Sequence, residues 1–170
     1  MSVKIALLPE QLENIKKNKI TIVKKFSEIE QIFDFNLLIS FLEKCDLPVV
    51  IQNKNNLFEN SFQIKKVEAM FSDFKFFQSY LKQIASYPDH EKNGCDIFFS
   101  FKSCSGFTHV DPEDVFIIGL HGKTLYKTFG ESIEFHEINK GDLIFIPNGI
   151  PHKVISLSPR IILSVGFFRK

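Results

Sequence analysis

The stretch that decides the fold spans residues 114–168 and reads DVFIIGLHGKTLYKTFGESIEFHEINKGDLIFIPNGIPHKVISLSPRIILSVGFF. It consists of short β-branched and aromatic segments separated by Gly, Pro and Asn. Short segments at this regular spacing predict the antiparallel strands of a barrel or jelly roll, and no helix-length segment separates them as a parallel α/β sheet would require. One more segment, DIFFSFK, lies just upstream. The predicted strands therefore cover 96–102, 114–120, 123–129, 132–138, 142–147, 152–157 and 161–168.

The first ninety or so residues mix helix and strand signals. Apolar residues at helical spacing predict one helix over Phe35–Cys45 and another that begins near Ser72 and ends before Pro88. The pair Ser27 and Glu30 has the spacing of a capping box and predicts a third helix start. Short β-branched runs predict strands over 20–26, 48–53 and 61–67. The fold class predicted is mainly β (α+β), a single domain over 1–170 in which N-terminal helices and flanking strands (1–93) pack outside a β core (94–170).

Composition excludes several classes of function. The 170 residues include 21 Lys+Arg and 20 Asp+Glu, for a formal net charge of +1, so the concentrated basic excess of a nucleic-acid binder is missing. No apolar run approaches the roughly 20 residues of a membrane span, and the N-terminus lacks the features of a secretory signal. Three cysteines, none in a CxxC array, argue against a disulfide framework. We therefore expect a soluble, cytoplasmic protein.

Two of the five histidines stand in a pattern that suggests a metal site. In His109-Val110-Asp111 an extended backbone directs the imidazole and the carboxylate to the same side. His152 follows 43 residues later, after a Gly- and Pro-shaped hairpin. Two His and one carboxylate form the facial triad of non-haem Fe(II) enzymes, which leaves coordination positions open. The alternative is that both are ordinary turn histidines.

The other three histidines are not expected to be ligands. His121 lies about twelve residues from His109, too far along an extended strand to reach the same site. His136 alternates with Ile133 and Phe135, which predicts that it faces solvent. His90 lies in a charged loop.

Residues Gly141–His152 fit the second cupin motif, G-x5-P-x-G-x2-H. Together, GFTHVDPEDVFIIGLHG (106–122) and NKGDLIFIPNGIPHKVISLSPRIILSVGF (139–167) resemble the JmjC-type cupins, most closely the bacterial ribosomal-oxygenase branch. The resemblance implies a double-stranded β-helix that holds Fe(II) through His109, Asp111 and His152. It also implies oxidation coupled to decarboxylation of 2-oxoglutarate, typically hydroxylation of a protein side chain.

The resemblance also suggests where 2-oxoglutarate would bind. In that branch a basic residue two positions after the strand-ending Gly, here Gly122, grips the distal carboxylate. This sequence has Thr124 at that position, so we expect Lys127 to reach the carboxylate from the same strand and Thr124 to hydrogen-bond it. Ser100 lies where the resembling segment carries a Ser that faces the cosubstrate.

The predicted activity is thus that of a dioxygenase acting on a protein, peptide or amino-acid side chain, with a homodimer suggested by analogy with the family. A metal-dependent cupin of other chemistry, an isomerase or a dioxygenase without 2-oxoglutarate, is the alternative, and the absence of a basic residue at Thr124 favours it. A third possibility is a binding module that keeps the metal for structure alone.

Overall fold

The computed structural model describes residues 4–5, 7–28, 33–44, 49–51 and 61–169. The helices are α1 (Pro9–Lys16), α2 (Phe35–Lys44) and α3 (Ser72–Ala85), with a 3₁₀ turn at Val67–Ala69. The strands are β1 (Lys4–Ile5), β2 (Thr21–Val23), β3 (Ser27–Glu28), β4 (Val49–Ile51), β5 (Ser61–Ile64), β6 (Gly94–Ser100), β7 (Cys104–His109), β8 (Asp114–His121), β9 (Thr124–Phe129), β10 (Ile133–Ile138), β11 (Leu143–Ile146), β12 (His152–Ser156) and β13 (Arg160–Phe167).

Two antiparallel sheets make up the β core. The larger has the strand order β2-β11-β8-β13-β6-β5-β4 and the smaller β10-β9-β12-β7, while β1 and β3 form a separate short pair. Strands that are consecutive in the chain alternate between the two sheets over much of this region, which is the winding of a double-stranded β-helix. The mainly β fold class expected from the sequence is confirmed. The larger sheet also takes in β2, β4 and β5 from the N-terminal half of the chain.

Strand β8 shows how the two layers of the core form. Its side chains are buried on both faces: Val115 and Ile117 belong to the cluster between the two sheets, and Phe116 and Ile118 to the cluster beneath the helices. A strand covered on both faces needs apolar residues at every position, which explains the unbroken run DVFIIGL.

Predictions for the N-terminal half hold less well. Helices α2 and α3 lie where the spacing placed them. Ser27 lies in strand β3, so the predicted helix cap is wrong at this position; its partner Glu30 is outside the described residues, as are the predicted helix end at Cys45 and the outer parts of the 48–53 strand. Helix α1 was not predicted, since it carries a short polar sequence with one fully buried side chain, Ile15. Strand β7 was not predicted either.

A turn around Gly141 fastens the N-terminal segment to the core. The Gly141 amide donates to the Gly119 carbonyl and the Gly119 amide to the Asp142 carbonyl. The Asp142 carboxylate accepts from the Lys24 ammonium at 2.8 Å, from the Lys25 amide at 3.0 Å and from the Asn139 amide at 3.0 Å. In the G-D pair of the motif, the aspartate therefore has a structural role.

Candidate metal centre

Three candidate ligands meet at one end of the smaller sheet. Strand β7 ends at His109 and β12 begins at His152, and the two histidines are a directly opposed cross-strand pair. Their ring centroids lie 4.3 Å apart. Asp111 follows β7 by two residues, so its carboxylate returns to the same side of the strand. The hairpin that precedes β12 thus sets which residue of that strand faces His109.

The distances within this group suit a single ion. Asp111 places one carboxylate oxygen 3.4 Å from His152 Nε2 and the other 3.8 Å from His109 Nε2. One donor atom from each of the three residues lies within 4.8 Å of the other two. Two imidazole nitrogens and one carboxylate oxygen are a donor set that suits first-row divalent metals, including Fe(II).

Both imidazoles are held by their other nitrogen. His109 Nδ1 lies 3.2 Å from the carbonyl of Phe107, and His152 Nδ1 lies 3.0 Å from that of Ile150. A carbonyl accepts only, so Nδ1 carries the proton and Nε2 keeps its lone pair for a metal. Burial lowers the pKa of His152, although the Ile150 carbonyl and Asp111 oppose the shift. A neutral ring is the form that binds metal.

A buried carboxylate holds the turn before His152. Asp114, which is 1% exposed, accepts a 2.7 Å hydrogen bond from the Asn148 amide and a 2.6 Å bond from the Tyr87 hydroxyl. Arg169 Nε donates to the same carboxylate at 2.5 Å. Asp114 therefore links the end of helix α3, the 147–149 turn and the last strand, and it fixes the start of β12.

The three residues line a cavity of about 540 Å³ that runs between the two sheets. Its inner wall is apolar and includes Phe98, Val115, Ile117 and Ile162. Towards the mouth the lining becomes polar and charged, with Gln63, Asp96, Glu113, Lys65, Lys66 and Lys92 among its residues.

A buried cation and a buried phenol lie along the same cavity. Arg160, at the start of β13, is 4% exposed, and Tyr126 of β9 is fully buried. Within the described part of the chain, neither Arg160 Nε nor the Tyr126 hydroxyl has a hydrogen-bond partner. Burial raises the pKa of Tyr126 to about 12, even though the nearby guanidinium opposes the shift. The phenol therefore stays protonated and able to donate. Unsatisfied buried donors are costly, so their clustering in a cavity suggests an anionic ligand.

Comparison with solved structures finds several proteins that share this fold. The E. coli ribosomal oxygenase YcfD superposes with a TM-score of 0.74 over 100% of this chain, at 20% identity. YcfD in complex with cobalt and 2-oxoglutarate superposes with a TM-score of 0.73. A protein of the 2OG-Fe(II) oxygenase family from Burkholderia pseudomallei gives a TM-score of 0.66 at 10% identity and is covered over 94% of its length.

This chain has the double-stranded β-helix fold of these solved structures. It spans about half the length of YcfD, of which 54% is covered. No protein-family model and no curated protein matches the sequence. Among the described residues, no helix has both the length and the apolar character that crossing a membrane requires.

Within this fold, the predicted cosubstrate residues fall on different faces. Thr124 is buried and its hydroxyl lies 3.5 Å from Arg160 Nη1. Ser100 is buried and directly opposite Arg160 in the β6–β13 register. Lys127 points away from the cavity, with its Nζ 4.9 Å and 5.4 Å from the ring centroids of Phe129 and Phe135 on the outer face. Strand alternation explains the difference, because Lys127 is an odd number of residues from Thr124.

The other histidines lie outside the cavity lining. The His121 ring packs against Phe35 with the centroids 5.1 Å apart. His90 stacks on Phe168. His136 corrects a prediction: it is 8% exposed and its Nε2 lies 3.0 Å from the Thr128 hydroxyl, whereas Phe135 beside it is 60% exposed. On β10 the inward face carries His136 and Ile138, both buried, whereas Ile133 and Phe135 are exposed on the outward face.

Arg160 and Tyr126 are the residues that the sequence interpretation missed. The signal for Arg160 was present, since the chain has only two arginines and this one opens a strand eight residues after His152. Tyr126 lies two residues from Thr124, on the same face of β9. Neither residue was recognisable from the sequence alone. Tyr126 lies on β9 and Arg160 on β13, and only the folded chain brings the two side chains to one cavity.

Proposed function

We propose that this chain is an Fe(II)- and 2-oxoglutarate-dependent oxygenase that hydroxylates a protein, peptide or amino-acid side chain. The observation that carries the proposal is the placement of a His-His-Asp group and an unsatisfied buried Arg-Tyr pair along one cavity. A metal site alone fits many cupin chemistries. A metal site with an anion site beside it fits a cosubstrate that is both a metal chelator and a carboxylate.

His109, Asp111 and His152 would hold the metal. Bound Fe(II) and 2-oxoglutarate would together supply the chemistry, in which one oxygen atom of O₂ enters a C–H bond and the other enters the succinate formed by decarboxylation. The backbone carbonyls behind the imidazoles fix the ring orientation before the ion binds, so little reorganisation accompanies binding.

Arg160 and Tyr126 would bind the distal carboxylate of 2-oxoglutarate. A guanidinium and a protonated phenol provide charge-assisted hydrogen bonds in a site closed to water, where such bonds are strong. Thr124 and Ser100 would assist at this carboxylate, since the Thr124 hydroxyl lies 3.5 Å from the Arg160 guanidinium and Ser100 is opposite Arg160 in the strand register. Lys127 is left out of the proposal, since it lies on the other face of β9.

The apolar wall has its own part in the reaction. Phe98, Val115, Ile117 and Ile162 exclude water between the metal ligands and the carboxylate site. Exclusion of water strengthens the electrostatic contacts and protects a reactive oxidant from side reactions. The name ribosomal oxygenase of the structural relative YcfD supports a protein substrate.

Arg160 also bears on the alternative, a cupin without 2-oxoglutarate chemistry. That alternative was favoured by the absence of a basic residue at Thr124. Arg160 at the start of β13 brings a guanidinium to the cavity lining. The lack of a basic residue at position 124 therefore no longer favours the alternative.

Anaerobic titration with Fe(II), with and without 2-oxoglutarate, tests the proposal. We expect a visible metal-to-ligand charge-transfer band that requires both components and disappears in His109→Ala. His90→Ala is the matched control, because His90 lies outside the cavity, and it should keep the band. Metal binding without the band would contradict the 2-oxoglutarate proposal and favour the alternative cupin chemistry.

A further inference from the structure

Asp111 differs from the other two proposed metal ligands in how its backbone is held. His109 and His152 are fixed by the pairing of β7 with β12, whereas Asp111 follows the end of β7 and belongs to no strand in the described part of the chain. Its side chain is 27% exposed, so packing holds it only in part. A ligand on such a segment needs further contacts to keep its carboxylate in place before an ion binds.

The turn before β12 supplies these contacts. The Gly149 amide donates to the Asp111 carbonyl at 3.4 Å. The Asn148 backbone amide donates to the Asp114 carboxylate at 2.7 Å, and the Asn148 side-chain amide donates to the Pro112 carbonyl. Three donors from two adjacent residues thus meet three acceptors within four consecutive residues. We name these three hydrogen bonds the turn clamp.

The turn itself does not require the Asn148 carboxamide. The Ile150 amide donates to the Pro147 carbonyl, and Gly149 has a φ of 82°, which is the conformation that a type II turn needs at its third residue. Asn148 precedes it without a positive φ, so alanine fits the same backbone. The carboxamide of Asn148 therefore serves the link between two segments of the chain, and not the turn.

We propose that Asn148 is a positioning residue for the metal site, and that its carboxamide holds the segment after β7 so that the Asp111 carboxylate faces the two imidazoles. The inference rests on the proposed function, because it concerns the same three ligands. The two carboxylate oxygens lie 3.4 Å and 3.8 Å from Nε2 of His152 and His109. Loss of outer contacts that orient metal ligands typically weakens metal binding by about 10- to 100-fold.

A double-mutant cycle with Co(II), measured by isothermal titration, tests the proposal. Asn148→Ala should weaken Co(II) binding by about tenfold. If Asn148 acts through Asp111, adding Asn148→Ala to Asp111→Ala should cause no further loss, whereas a general structural defect would cause the same loss in both backgrounds. Asn139→Ala is the matched control, because it removes a side-chain amide that donates to Glu137 at 3.0 Å in another turn. It should keep wild-type affinity.

Hydrogen exchange in the metal-free protein gives a second readout. The Gly149 amide belongs to the turn clamp, so its exchange should be about tenfold faster in Asn148→Ala and unchanged in Asn139→Ala. Wild-type Co(II) affinity in Asn148→Ala, equal losses in both backgrounds of the cycle, or unchanged exchange of Gly149 would each overturn the proposal.

Neither measurement uses 2-oxoglutarate or turnover, so the two proposals fail separately. A missing charge-transfer band together with the expected cycle would overturn the proposed function and support the role of Asn148. A normal band together with an Asn148→Ala variant that binds Co(II) like wild type would do the reverse.

Discussion

Arg160 and Lys127 carry the same charge but occupy opposite environments. Arg160 is buried between the sheets with part of its guanidinium unsatisfied, whereas Lys127 lies over two phenyl rings on the outer face. A buried cation without a partner is costly, and an anionic ligand relieves that cost. Arg160 is therefore the residue whose charge we expect to determine cosubstrate affinity.

Arg160→Met should weaken 2-oxoglutarate binding by at least about 30-fold, since removing one partner of a buried charge pair costs about 2 kcal/mol or more. Tyr126→Phe should weaken binding less, because it removes one neutral donor. Isothermal titration of 2-oxoglutarate into the Co(II)-loaded protein measures both. Lys127→Met is the matched control. Equal affinity of Arg160→Met and wild type would contradict this assignment of the anion site.

At the scale of elements, the turn between β10 and β11 meets the middle of β8 at Gly119. A Cβ atom at Gly119 would lie less than 3.0 Å from the Asn139 carbonyl oxygen, whereas one at Gly130 would meet nothing within 4 Å. The close approach lets the amides of Gly119 and Gly141 bond across the two segments. These backbone bonds hold the corner of the barrel together with the hydrogen bonds to the Asp142 carboxylate.

Gly119→Ala should lower the free energy of unfolding by about 2–4 kcal/mol, because backbone must move to accept the methyl group. Gly130→Ala makes the same chemical change in open space and should alter stability by less than about 1 kcal/mol. Urea unfolding followed by circular dichroism measures both. Similar losses of unfolding free energy in the two variants would contradict the expected cost of the close contact at Gly119.

Asp142 gives the same turn a dependence on pH. Burial favours a higher pKa for Asp142, but hydrogen bonds from Lys24, Asn139 and Lys25 outweigh it and hold the pKa below its ordinary value. A folded-state pKa below the unfolded one adds stability that is fully present above the unfolded value, near pH 4, and is lost as the pH falls through the folded value. The turn should therefore weaken in acid.

Asp142→Asn should cost about 1–2 kcal/mol at pH 7 and little at low pH, where the wild-type carboxylate is itself protonated. Urea unfolding at both pH values measures the difference. Asp89→Asn is the control, because the Asp89 side chain is almost fully exposed and its exposed ion pair contributes little. A cost for Asp142→Asn that persists undiminished in acid would contradict the electrostatic explanation.

At the scale of the whole molecule, the proposed ligands connect strands that are distant in the chain. The proposed metal ligands come from β7, β12 and the segment after β7, and the proposed carboxylate site comes from β9 and β13. Ligands that bind only the folded state add stability in proportion to their occupancy. Loading the site should therefore stabilise the whole domain against unfolding.

Co(II) at about one hundred times its Kd should add about 2.7 kcal/mol. For a chain of this size that corresponds to a rise in Tm of about 5–11 °C. Thermal unfolding by calorimetry measures it. His109→Ala should show no rise, and a rise in that variant equal to wild type would place the bound metal elsewhere.

The sequence predicted most strands of the C-terminal half closely, as DVFIIGL (114–120) and β8 show, but it missed β7. Turn residues mark strand ends locally, and apolar runs report that both faces of a strand are covered. The N-terminal half was predicted less well. Ser27 and Glu30 match a helix cap by spacing alone, and the pairing of β3 with β1 overrides that local preference.

Sequence alone determined which residues were candidate metal ligands, because the His-x-Asp spacing and the hairpin before His152 are local features of the chain. Only the tertiary structure decided that Arg160 reaches the cavity while Lys127 does not, and that His136 is buried while Phe135 is exposed. The period of a strand assigns side chains to two faces without saying which face the second sheet covers. That choice depends on how strands far apart in the sequence pack together.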